Sequence, residues 1–96
     1  MTDEATEREF RRVADAFIDL ANQHMTEVQK ENVGMALLFA AARFNAFVVA
    51  SHSATLDKYE SDRAKAIEFF SSNYLDMLKE NLDDYRRAYE EPGDAG

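Results

Sequence analysis

Arg43 is the residue whose surroundings demand chemistry. It interrupts an otherwise uncharged, largely apolar stretch, 33–50. On a helix its neighbours at three and four residues are Phe39, Ala40, Ala46 and Phe47. A guanidinium does not lose its charge, so in such company it needs an anion, or a route to water along its own aliphatic stem. One consequence is a ligand site, in which Arg43 holds a small carboxylate or phosphate in an interhelical pocket with Tyr74 or Tyr85 assisting. The other is structural: an ion pair with Asp15, Asp19, Asp76, Glu80 or Asp83, or a side chain that reaches solvent.

The remaining polar residues carry weaker signals. Asn22, Asn45 and Asn81, with Asp84, are expected to form structural polar contacts that fix helix register, because a buried amide needs partners. Asn45 projects roughly 160° away from Arg43 around a helix, so the two cannot serve one ligand from one helix. His24 and Glu27 make a single helical His/Glu pair, short of the two Glu-x-x-His pairs and two further Glu of a carboxylate-bridged metal bundle. No metal or other cofactor is expected. Asp76, Glu80, Asp83 and Asp84 form an acidic patch, but Arg86 and Arg87 adjoin it. Ser, His and carboxylates occur without a Gly-rich elbow or phosphate loop to position them, so the chain reads as a non-enzyme.

The chain has 96 residues and a net charge of −8, with 19 carboxylates against 11 Lys and Arg. That balance lacks the basic footprint nucleic acid requires, and an anionic membrane surface would repel it. The carboxylates are interleaved with Lys and Arg, which also argues against a nucleic-acid mimic. Without Cys there is no disulfide or thiolate chemistry. The acidic N-terminal segment has no apolar core, so no secretion signal is expected. Stretch 33–50 approaches the length of a membrane span, but a charge near its middle costs about 2.5 kcal/mol or more. A cytoplasmic protein with no membrane partner is the reading that follows.

Three Gly and one Pro leave little turn chemistry, and the hydrophobic residues fall at helical spacing. The first helix is expected to start near Asp3 or Thr6 and run to about Gln29, with Thr6 and Glu9 as a capping box. Lys30, Glu31 and Asn32 form the connection, and Asn32 caps a second helix that continues to Ser51 or Ser53. Val33, Leu37, Phe44 and Val48 make its core face. Met35, Ala36, Phe39, Ala42, Ala46 and Ala50 make a second apolar arc, mostly of small residues that let another helix approach closely. A helix apolar on nearly every side must be covered on every side, which two neighbours in so short a chain do not achieve. Thr55 caps a third helix from Leu56 to about Glu91. At 1.5 Å per residue it is roughly 50 Å long, against roughly 35 Å for the others. Its end, with Leu82 and Tyr89, overhangs unless Ser71, Ser72 and Asn73 host a kink.

Three strings point to a known family: Arg12-Val-Ala-Asp-Ala-Phe-Ile-Asp-Leu-Ala-Asn22, Ala-Arg-Phe-Asn-Ala at 42–46, and Glu-Asn-Leu-Asp-Asp-Tyr at 80–85. Across about residues 10–86 the chain is similar to a family of small bacterial proteins, domain of unknown function 3144. The resemblance implies a bacterial, stand-alone domain and brings no activity, cofactor or partner. The expected fold is all-α: one domain over 1–91 forming an antiparallel three-helix bundle with a long C-terminal helix, and a disordered tail over 92–96. Met35, Phe39, Ala42, Ala46, Leu82 and Tyr89 are the expected interface of a homodimer. The expected function is a homo-oligomeric interaction or regulatory module that also offers a surface to an unidentified protein partner.

Overall fold

Helix α1 spans Thr2–His24, α2 spans Lys30–Ser51 and α3 spans Leu56–Glu90. These come from a computed structural model that describes residues 2–90. The chain is all-α, with no strand among the described residues. The expected tail, 92–96, and the expected last helical residue, Glu91, lie outside the described part.

The helix ends follow from local hydrogen bonds. After His24 the backbone makes one further tight turn, with the Val28 amide donating to the His24 carbonyl at 2.9 Å. The first helix therefore stops short of Gln29. The second begins two residues before the expected cap. The Gln29 carbonyl accepts from the Asn32 and Val33 amides at 2.9 and 3.0 Å, so Asn32 lies within the first turn rather than capping it. A backbone carbonyl starts this helix where a side chain was expected to. Asp3 and Thr6 likewise fall inside α1, which begins at Thr2.

Thr55 behaves as its position predicts. Its hydroxyl accepts from the Lys58 amide at 3.1 Å, which satisfies one orphan donor of the first turn, and its carbonyl accepts the first intrahelical bond, from the Tyr59 amide at 2.9 Å. From there α3 runs unbroken for 35 residues, through Ser71, Ser72 and Asn73. The Asn73 amide bonds its own helix, donating to the Phe69 carbonyl at 2.7 Å.

The residues group into two units, Met1–Phe47 and Val48–Gly96, with the division inside α2. In the first unit α1 and α2 form an antiparallel helical hairpin joined by the short segment 25–29. Val33 is its buried side chain, 8% exposed. Leu37, one turn on, is at the border of exposure. Phe44, expected beside them, is instead exposed, with its ring 5.7 Å from that of Phe47 on the same helix. Of the expected face, Val33 is buried and Val48 half-buried, whereas Leu37 and Phe44 are exposed. In the second unit Phe69 and Phe70 meet edge to face, centroids 5.3 Å apart.

Candidate functional site

Small side chains set the geometry of the first unit. Ala21 on α1 and Ala36 and Ala40 on α2 are too short to fill the space between the two helices. An open cleft of about 370 Å³ remains, walled by Phe17, Leu20, Val33 and Leu37, with His24 and Asn32 among the residues that line it. The lining is overwhelmingly apolar. The cleft can accept hydrophobic groups and has little with which to bind or activate a polar substrate. It was not singled out from the sequence, although alanines facing each other across a helix pair were the available signal.

On the other side of α2 stand Met35 and Phe39, 64% and 73% exposed. Ala42 and Ala46 continue the same face at helical spacing, both exposed. Its alanines leave room for a close helix–helix approach. Between Asn32 and Ser51 the helix contains no acidic residue, and its single charge is Arg43. Arg43 flanks this face on the helical wheel. It is exposed, and neither Asp15 nor Asp19 forms an ion pair with it. Its guanidinium reaches water, the solution open to a long side chain on an apolar helix.

The other candidate ligand residues lie in the second unit. Tyr74 and Tyr85 are both exposed on α3. Of the expected polar contacts, Asn22 is exposed and Asn45 half-buried. Asn81 donates to the Met77 carbonyl of its own helix at 2.8 Å, and Asp84 pairs with Arg87 one turn away. Leu82 and Tyr89 are both exposed. Among the described residues, no group of His, Asp or Glu is arranged to hold a metal ion.

The best-connected polar group was also missed. Asp62 accepts from the Lys58 ammonium at 2.7 Å and from the Ser53 hydroxyl at 2.8 Å. These bonds, the Lys58 one foremost, hold its carboxyl below the ordinary value of 3.8. The Ser53 hydroxyl also lies 2.9 Å from the Val49 carbonyl, so this clasp ties the end of α2 to the second turn of α3. The Lys58–Asp62 spacing of four is visible in sequence. The Ser53 contact crosses the inter-helix turn, and no single-helix pattern contains it.

Residues 10–86 match the family model described as "Protein of unknown function (DUF3144)". The chain belongs to that family. The match runs from the first aromatic residue of α1, through all of α2, to the penultimate turn of α3, so it spans both DUF3144 units and both apolar faces described above. No curated protein and no solved structure matches the chain.

Proposed function

We propose that this DUF3144 protein is a small self-associating helical module whose homodimer interface is the Met35, Phe39, Ala42 and Ala46 face of α2. The observation that carries this is Phe39, 73% exposed at the centre of a continuous apolar face. Isolated exposed apolar residues are ordinary, but contiguous ones mark binding surfaces. A second copy is the occupant the charges favour. Two chains of net charge −8 repel each other, and α2 beyond Glu31 is where they can meet without bringing carboxylates together. Arg43 at the edge of the face keeps its guanidinium in water in such a dimer. The reading takes the protein as cytoplasmic. α2 is long and apolar enough to cross a bilayer, but Arg43 lies two to three residues from its midpoint, where a charge is most costly.

Replacing Phe39 with Lys places a charge at the centre of the interface. The expected result is at least a tenfold weaker dimer, about 1.4 kcal/mol or more, with the helical content unchanged. An unchanged mass distribution in Phe39→Lys would remove the α2 face from the interface.

Arg43 supports a second reading, as a binder of a small anion, because its guanidinium has no carboxylate partner in its own unit. Titrating inorganic phosphate or acetate into wild type and Arg43→Met, with isothermal calorimetry as readout, tests it. Heat of binding in wild type that disappears in the variant supports an anion site, and no heat in either removes it.

A further inference from the structure

The turn between α2 and α3 is built without the residues that ordinarily stop a helix. Positions 52–55 are His, Ser, Ala and Thr, with no Gly or Pro. No described residue has a positive φ, so no left-handed cap closes α2. Side chains stop the helix instead. The Ser51 hydroxyl donates to the Val48 carbonyl at 2.7 Å, and the Ser53 hydroxyl lies 2.9 Å from the Val49 carbonyl. Across the turn, the Ser53 hydroxyl donates to the Asp62 carboxylate at 2.8 Å, and the Thr55 hydroxyl accepts from the Lys58 amide.

The last two contacts exist only while the chain is bent. In an unbroken helix Ser53 and Asp62, nine residues apart, stand about 13.5 Å from each other along the axis, beyond the reach of these short side chains. There the Lys58 amide would bond the Ala54 carbonyl, and Thr55 would have nothing to cap. The Lys58–Asp62 pair, four residues apart, survives in either form. The straight form has bonds of its own to gain. In the bent form the amides of Ala54, Thr55, Leu56 and Asp57 have no backbone acceptor, and an unbroken helix gives them the carbonyls of Ala50, Ser51, His52 and Ser53. The two forms therefore differ by a few exposed bonds on each side, the kind of balance on which a two-state element rests.

We infer that this turn is a latch: the Ser53 and Thr55 hydroxyls hold the bend between α2 and α3, and their release lets the two run on as one helix. The latch makes the direction in which α3 leaves α2 switchable at one point of the chain. It is independent of the self-association proposed above.

The chain has no native Cys, which makes the test direct. Ala50→Cys and Ser72→Cys, both at exposed positions, carry spin labels in the full chain. Pulsed dipolar spectroscopy reads their separation, with the labelled protein diluted into an excess of unlabelled chain so that only distances within one molecule count. An unbroken helix puts the two Cα atoms about 33 Å apart. The labelled but otherwise unaltered chain should show one shorter distance. Adding Ser53→Ala and Thr55→Ala should shift a substantial population to the unbroken-helix distance. A further Ala54→Pro should abolish that population, because Pro does not fit a helix interior. The unbroken-helix distance already present before those changes, or a distribution that Ser53→Ala and Thr55→Ala leave as it was, overturns the inference. A broad distribution with loss of helical circular dichroism overturns it too, since the turn then comes apart without straightening. So does a long-distance population that survives Ala54→Pro.

Discussion

α2 and α3 meet water on opposite terms. Beyond Glu31, α2 has a single charge and apolar side chains around its circumference; its contact with α1 buries one of them, Val33. α3 gathers its apolar residues on one side and ties its polar ones to itself: Thr55 to the Lys58 amide, Lys58 to Asp62, Asn73 to Phe69, Asn81 to Met77, Arg87 to Asp84. Local bonds of this kind support a helix without neighbours. α2 makes far fewer, so its stability must come from what covers it. The difference implies that substitutions in α2 change stability and association together, whereas polar substitutions in α3 change stability alone.

The largest effect is expected at Val33. Val33→Asp puts an unpaired carboxylate at the one side chain that is buried among the described residues, and should lower unfolding free energy by about 3 kcal/mol or more in urea titrations. A loss below about 1 kcal/mol would mean that the hairpin of α1 and α2 is not held there. Next comes Thr55→Ala, which leaves the Lys58 amide without its side-chain acceptor; about 1 kcal/mol should be lost, with the solution mass profile unchanged. A shift in the mass profile would break the distinction between the two helices.

Gly34→Ala should act in the other direction. Nothing lies within 4 Å of the position a Cβ would take, and Gly34 sits inside α2. A gain of roughly 0.5–1 kcal/mol is expected from helix propensity. Destabilisation that appears only at high protein concentration would instead place a partner helix against Gly34, and would widen the proposed interface beyond Met35 and Phe39.

The smallest effect is at Asp62. Its carboxyl is held below 3.8 by Lys58 and Ser53, so the stabilisation is present above that value and is lost as pH falls through the lower folded value. Asp62→Asn should therefore unfold with a shallower dependence on pH below about 4 than wild type, and both should behave alike in slope from pH 5 to 7. Identical acid profiles would show that the clasp between Ser53, Lys58 and Asp62 does not act in solution.

The helices were legible in the sequence because their causes are local. Apolar spacing fixed their number, Thr55 its cap, and the scarcity of Gly and Pro their length. Their ends were less so: the segment 25–29 closes on backbone carbonyls, and the Gln29 carbonyl does the work expected of Asn32. The partition of α2 into faces was half right. Val33 is buried and Val48 half-buried, but Leu37 and Phe44 are exposed, since a helical wheel gives direction around the axis and not how deeply a neighbour covers each position. The cleft beside Ala21, Ala36 and Ala40 and the Ser53–Asp62 contact each need two elements placed together, which spacing within one helix does not contain. Arg43 was legible as a residue in need of an anion or of water, and in its own unit it has water.

The measurement that bears most directly on this account is solution mass by multi-angle light scattering, taken across a dilution series for wild type and Phe39→Lys. The expected wild-type result is a mass of twice 10.9 kDa that falls toward 10.9 kDa on dilution, with the fall beginning at higher concentration in Phe39→Lys. A wild-type mass of 10.9 kDa at every concentration would contradict the account, and would leave the exposed face of α2 for a different molecule.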